Sequence, residues 1–307
     1  MTSALPVLIT GATGKQGGAT AHRLLAEGHR VRALVRDLDS PAARALADAG
    51  AQLTAGDFDD PISLRAAATG TRAVFLVPPA DYRAKGWGED TEARRGLAMI
   101  AAAEATGVEQ IVFTGVATMG AAKSWGQQGK RQIEDALAAS GLRYTVLRPV
   151  RFMENYLLQG SPVDGIREGG EHRHLFPADR PLQMIAVDDI AAFATLAFAA
   201  PETWHTRTLE LAGEAITPVD AATIISAATG HPIHYREVTE AEADAIGPQL
   251  GNTWRLIRET GGWQADLPTL RTLYPHLTSL HDWLERSGTQ RIHAQINTKT
   301  PKTHRPH

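Results

Sequence analysis

The 307 residues include no cysteine, so disulfides, thiolate metal sites and cysteine nucleophiles are excluded together. A reducing compartment fits that absence, and any redox chemistry has to come from a bound group. Excess charge is scarce too: 31 Lys and Arg face 34 Asp and Glu, a formal net charge of -3. Without a long basic block in the patterned part of the chain, nucleic acid is a poor candidate partner. Long apolar runs are also missing. Leu97 to Ala103 and Ile190 to Ala200 are alanine-rich and too short or interrupted for the ~20 residues a hydrocarbon layer requires. No basic leader precedes the apolar run in MTSALPVLITGATG, which enters a glycine turn instead of a cleavage site. The expectation is a soluble, cytoplasmic protein without membrane association. No internal repeat is visible.

What is present is a rhythm of short apolar runs and helical segments. Strands are predicted at Val7 to Thr10, Val31 to Val35, Gln52 to Ala55, Ala73 to Val77, Gln110 to Thr114 and Tyr144 to Leu147. Helices are predicted between them at Gly17 to Glu27, Pro41 to Ala49, Ile62 to Ala68, Thr91 to Thr106 and Lys130 to Ala139, most of them followed by glycine. Alternation at this spacing describes an α/β protein with a Rossmann-like doubly wound parallel sheet. After Pro149 the rhythm changes: GSPVDGIREGGEHRH reads as a loop or mobile lid. Beyond it, strands and helices from Gln183 to Glu237 predict a smaller α/β substrate region, closed by helices carrying Trp254, Trp263 and Trp283. The expected division is a nucleotide-binding domain over 1–155, to which later segments can return, a substrate region over 156–291 and a disordered tail over 292–307.

The string GATGKQG sets Gly11, Gly14 and Gly17 between a predicted strand and a predicted helix. Gly11 allows the tight exit, Gly14 the close approach of backbone to a pyrophosphate, and Gly17 the packing of helix on sheet. Free N–H groups and the positive helix end then hold phosphates without a basic side chain. Thr13 and Gln16 can add hydrogen bonds, and Lys15 shares the turn, although the string is not a nucleoside triphosphatase loop. The first two glycines stand one residue further apart than in the usual G-x-G-x-x-G, so this is a variant of that dinucleotide fingerprint.

At the end of the second strand, Arg36 is suited to a 2'-phosphate on the adenosine ribose, which favours NADP(H) over NAD(H). Asp37 leaves two readings open, a ribose contact for NAD(H) or a surface turn. After the third strand, Asp57 and Phe58 either meet adenine, or cap a turn and fill the core. Val77 and Pro78 leave the fourth strand at the end of the sheet where a cofactor is walled. His172 and His174 in EHRH match no zinc spacing, so no metal is expected, and they read as loop or surface histidines. Ser124 is not set in a nucleophile elbow.

GATGKQG, Arg36, Lys130 and above all SGLRYTVLRPVRFMENYL, from Ser140 to Leu157, resemble the NmrA-like branch of atypical short-chain dehydrogenases/reductases. The resemblance runs from Val7 to about Glu285. It implies an NAD(P)-binding Rossmann domain with a smaller C-terminal substrate region, in a group holding both reductases and cofactor-sensing regulators. It further implies that Gly11 to Gly17 contact pyrophosphate, Arg36 the 2'-phosphate and Lys130 the nicotinamide side. Pro149, Phe152 and Asn155 would border the nicotinamide and substrate pocket, and Thr114 would match the hydroxyl residue that reductases carry at the end of the fifth strand. Ordinary short-chain reductases place a tyrosine four residues before the active-site lysine, where this chain has Gly126.

Hydride delivery to a quinone, azo compound or conjugated acceptor needs orientation and charge stabilisation, while the proton can come through water. Lys130 and Tyr156 are the catalytic candidates. The leading expectation is an NADPH-preferring reductase of a small apolar acceptor, with the second region closing over the nicotinamide. The alternative is a non-catalytic NADP(H)-sensing regulator with a protein partner. The sequence leaves homo-oligomerisation open.

Overall fold

The computed structural model of the protein describes residues 5–80, 88–120 and 127–297. The chain opens with β1 (Val7–Ile9), α1 (Lys15–Ala26), β2 (Val31–Val35), α2 (Pro41–Asp48), β3 (Gln52–Ala55) and α3 (Pro61–Ala68). It continues with β4 (Ala73–Leu76), α4 (Glu89–Thr106), β5 (Gln110–Thr114), α5 (Gln128–Ala139) and β6 (Arg143–Pro149). The helix starts are written locally. Ser40 and Asp60 accept from the Ala43 and Ile62 N–H groups, with Pro41 and Pro61 just inside the helix, where a missing N–H costs no intrahelical bond.

Beyond Pro149 come β7 (Arg151–Phe152), a 3-10 turn over Met153–Leu157, β8 (Glu171–His174), β9 (Leu182–Ile185), α6 (Val187–Ala199) and α7 (Pro201–Trp204). Then follow β10 (Thr208–Leu211), β11 (Glu214–Ile216), α8 (Pro218–Thr229), β12 (His234–Glu237), α9 (Glu240–Ile246) and α10 (Pro248–Thr260). The last elements are α11 (Leu267–Leu273), α12 (Leu280–Trp283), a π-turn over Leu284–Gly288 and α13 (Thr289–Asn297). Among the described residues no helix is long and apolar enough to cross a membrane.

Two units emerge. The first takes the chain up to Val150 together with Val187–Ala212 and Ala265–His276; the second takes Arg151–Ala186, Gly213–Gln264 and the chain from Leu277. In the first, seven strands form one sheet in the order β10-β6-β5-β4-β1-β2-β3, every pair parallel. Strand order reverses between β1 and β4, and a doubly wound sheet opens a ligand crevice at the carboxyl ends of the strands flanking such a reversal. Leu8, Leu76, Ile111 and Phe113 of the sheet pack with Leu64, Met99, Ile133 and Leu137 of the helices, all fully buried.

Elements within 156–291 that belong to this first unit include β10, α6, α7 and α11. β10 pairs with β6, Thr208 opposite Val146, because β6 would otherwise end the sheet on an unpaired buried edge. Helix α6 is buried nearly all round, from Val187 through Phe198, and such a helix has no polar face to turn to water. The buried Gln110 amide at the start of β5 donates to the Ala197 carbonyl at its end, 2.9 Å away.

The second unit holds the sheet β11-β9-β7 and the parallel pair β12-β8. Tyr156, Met184, Ile225, Trp283 and Leu284 form its core. Helix α13 corrects the expected tail: it extends to Asn297 and buries Ile292, so residues 292–297 are helical, while 298–307 lie outside the described residues. The segment expected as a lid contains β8 and a buried charged cluster, described below.

Candidate functional site

At the end of β1 the chain turns through Gly11 at φ +58, and a Cβ there would fall 3.3 Å from both the Val77 Cβ and carbonyl oxygen. The Gly14 N–H donates to the Gly11 carbonyl at 2.9 Å, and Gly14 caps α1 with no side-chain hydrogen bond. Gly17 is required for a different reason: its Cβ would lie 2.3 Å from the Gly11 carbonyl oxygen, a backbone atom that cannot swing aside. The helix therefore starts against the turn itself, closer than a packing of helix on sheet. Thr13, Gly14 and Lys15 are exposed, and the buried Gln16 Oε1 has no hydrogen-bond partner among the described residues. A first helical turn leaves its N–H groups without intrahelical acceptors, and with no side chain capping them they suit an anion.

A residue not singled out in the sequence holds the turn in place. Thr10, fully buried, donates its hydroxyl to the Phe75 carbonyl at 2.9 Å and accepts from the Val77 N–H at 2.8 Å. It ties the exit of β1 to the exit of β4, where Val77 is half-buried and Pro78 buried. Its only sequence signal is a hydroxyl residue following an apolar strand.

Arg36 follows β2, exposed and without a side-chain partner among the described residues. Asp37 takes the turn role: its Oδ1 accepts from the Asp39 N–H at 2.9 Å and its carbonyl accepts from the Ser40 hydroxyl at 3.0 Å. Asp57 and Phe58 resolve toward structure in the same way. The Asp57 Oδ1 accepts from the Asp59 N–H at 2.9 Å, and Phe58 is buried in the core with Leu8, Leu34 and Leu64.

The next residue was missed altogether. Asp59 accepts from Arg95 Nε and Nη2, at 3.1 and 2.6 Å, and pairs with Arg94 at 2.8 Å. The hydrogen bond from Arg95, against a desolvation cost, and then that from Arg94 bring its carboxyl down to about 2.

At the end of β5, Thr114 is buried and its hydroxyl has no partner among the described residues. Lys130, in the first turn of α5, is ion-paired with Glu92 in the first turn of α4, another residue the sequence reading passed over. Val116, Thr118, Gln127 and Lys130 line a narrow crevice with Arg148 and Glu134, which form a two-bond pair at 3.0 and 2.5 Å. Hydrogen bonding to Glu134 raises the Arg148 pKa further. Thr118 donates from its N–H and hydroxyl to Glu210 of β10, at 2.9 and 2.5 Å. Ser124 and Gly126 lie outside the described residues.

Pro149 ends β6 in the first unit, whereas Phe152, Asn155 and Tyr156 belong to the second. Phe152 is half-buried. Tyr156, expected to assist catalysis, is fully buried, its ring beneath the Arg151 guanidinium at 4.2 Å and edge-on to His172. Burial raises its pKa, so it is a core phenol and not an exposed proton donor. Asn155 donates to Asp164 Oδ2 at 3.2 Å.

His172 and His174 are likewise not surface residues. Asp164 accepts two bonds from Arg151, at 3.0 and 2.5 Å, and its two oxygens face His172 Nε2 at 3.3 Å and His174 Nε2 at 3.7 Å. Burial opposes its charge, yet the Arg151 charge, followed by the hydrogen bond from His172, holds its carboxyl well below the ordinary range. Burial lowers both imidazoles, His174 to about 3.

The family model described as NmrA-like family matches residues 4–259. The chain is 30% identical over 253 residues to an NAD(P)H azoreductase of Xenophilus azovorans, covering 80% of this chain and 81% of that one. Among solved structures, an NADPH-dependent quinone oxidoreductase of Escherichia coli complexed with NADPH aligns at a TM-score of 0.73 and 25% identity, over 91% of this chain and 99% of that one. NmrA, a negative transcriptional regulator in complex with NAD, aligns at 0.75 and 17% identity, over 93% and 96%, and shares the fold.

Proposed function

This chain belongs to the NmrA-like family, and from that premise we propose that it is an NADPH-preferring oxidoreductase delivering hydride to a small apolar acceptor, such as a quinone or azo compound. The observation that carries the reading is the uncapped start of α1 behind Gly11, Gly14 and Gly17, at the strand-order reversal of a doubly wound sheet. Residues fit a dinucleotide there: the exposed Gly14 caps α1 without a side chain of its own, and no side chain caps the helix start, so its first N–H groups are left to a phosphate. In this reading the Lys15 to Gly17 turn holds the pyrophosphate, with Thr13 beside it, and Arg36 meets the 2'-phosphate. Val77 and Pro78 wall the cofactor, and the Asp57 turn borders the adenosine end. NAD(H) is the weaker ligand.

When bound, a reduced nicotinamide supplies the hydride. Lys130 hydrogen-bonds its ribose and, as a cation, stabilises negative charge developing on the acceptor. The orphan Thr114 hydroxyl offers a hydrogen bond at the same edge of the sheet. Pro149 borders the acceptor, and the balancing proton comes from water, because the buried Tyr156 has no exposed hydroxyl to give one. The azoreductase and quinone reductase relatives support this acceptor class.

Gly126 in place of a tyrosine, four residues before Lys130, favours a second reading, that of a cofactor-sensing regulator. Calorimetry with NADP, NADPH, NAD and NADH sets the ligand preference. Acceptor-dependent loss of the reduced nicotinamide absorbance across quinones and azo dyes then separates the readings: turnover supports the reductase, and binding without turnover leaves the sensor.

A further inference from the structure

Glu92 and Lys130 are both largely buried, at 7% and 16% side-chain exposure. Burying an ion pair costs desolvation that its attraction only partly returns, so this pair is poor evidence for a stability role. Close approach of their helices makes the contact reachable. One turn along α4, a Cβ on Gly96 would fall 2.4 Å from Ile133 Cδ1 of α5, so glycine there lets the two helix starts converge. The ammonium is thereby held on Glu92, while Lys130 also lines the crevice after β5 with Thr118 and Gln127. The flanking order is reinforced from both sides: the buried Gln127 donates to the Ala117 carbonyl at 3.1 Å, and Arg95 of α4 donates to the Pro79 carbonyl at 3.0 Å.

We infer that Glu92 is a positioning residue for Lys130, fixing its ammonium for the nicotinamide ribose before the nucleotide arrives. The inference rests on the reading of Lys130 given under the proposed function. A lysine has a flexible four-carbon stem and a point charge with no preferred direction. A carboxylate at a fixed place on α4 supplies the direction and removes freedom that binding would otherwise have to take away.

Calorimetric titrations of the full chain with NADPH and with adenosine 2',5'-bisphosphate, which carries only the adenosine end, test it. Glu92→Gln keeps the side-chain shape and removes the charge. It is expected to weaken NADPH about five- to tenfold and to leave the bisphosphate within about twofold. In a Lys130→Met background the same substitution is expected to add nothing. Equal losses for both ligands, no loss for either, or additive losses in the double variant overturn the inference. If Lys130→Met alone leaves NADPH affinity unchanged, the inference also falls, and the fault then lies in the role given to Lys130 and not in the pairing. Should Glu92→Gln fail to fold, Glu92→Asp, a carboxylate one methylene shorter, is measured by the same comparison, with a smaller selective loss expected.

Discussion

Arg95 of α4 clasps the Asp59 carboxylate with two nitrogens, at 3.1 and 2.6 Å, while its Nη1 donates to the Pro79 carbonyl at 3.0 Å. One side chain thus links the loop after β3 to the loop after β4, which flank the adenosine end of the proposed site. Arg95→Ala is expected to weaken NADPH and NADH alike, by about three- to tenfold. Titration calorimetry with both nucleotides checks this, and selective loss of one would contradict a shared clasp.

Arg36 predicts the opposite pattern. It is exposed and unpaired among the described residues, so its removal leaves no buried charge behind. Arg36→Ala is expected to cost NADPH about tenfold or more, with NADH nearly unchanged, as for one charge-assisted phosphate contact. Equal losses for the two nucleotides would reject the 2'-phosphate role.

Gly17 and Gly14 separate folding from binding. A Cβ at Gly17 meets the Gly11 carbonyl oxygen at 2.3 Å, whereas one at the exposed Gly14 meets the same oxygen at 3.2 Å. Gly17→Ala is expected to destabilise the protein by about 1–3 kcal/mol, the usual range for overpacking. Gly14→Ala is expected to cost less stability while lowering nucleotide affinity. Urea denaturation alongside calorimetry reads both, and a reversed order of stabilities would refute the assignment.

Asp164 adopts φ +73, a region asparagine tolerates well. Asp164→Asn therefore removes the charge with little backbone penalty and leaves Arg151 buried beside an amide. The expected loss is about 3–5 kcal/mol, as for breaking a buried pair from one side. Chemical denaturation measures it, and a loss below about 1 kcal/mol would mean water already reaches the guanidinium.

The same cluster sets an acid limit. His172 and His174 are pushed below their ordinary value of 6.5, His174 to about 3. The unfolded chain therefore takes up protons between these values that the folded chain refuses. Their contribution is fully present above pH 6.5 and is lost as pH falls toward 3. Asp164, held well below 3.8 among Arg151 and the two imidazoles, adds a further loss under that value. Melting temperature is expected to be flat above neutrality and to fall through mildly acid pH. His174→Asn is expected to make the fall shallower, and an unchanged slope would exclude His174 as its source.

Much of the first unit was legible because its signals are local. The strand and helix periods, the capping Ser40 and Asp60, and the glycine string each act within a few residues, so β1 to β6 and the turn at Gly11 follow from neighbours in sequence. The NmrA-like resemblance, carried by GATGKQG and the segment from Ser140 to Leu157, was readable for the same reason. Side-chain partners set by distance in space were not. Nothing near Lys130 in the chain announces Glu92, and nothing near Asp59 announces Arg95. EHRH read as a surface loop because polarity alone cannot tell a solvated histidine from one buried against Asp164 and Arg151. Phe58 and Tyr156 went to cores for the complementary reason that apolar area is buried wherever the fold closes over it. Chain order likewise did not say which later segments return to the first unit, since the unpaired edge of β6 calls for β10 and the apolar girth of α6 calls for cover on every side. Local conformational preference made the elements and the glycine turn after β1 readable, while long-range packing and charge pairing decided which side chains meet around it.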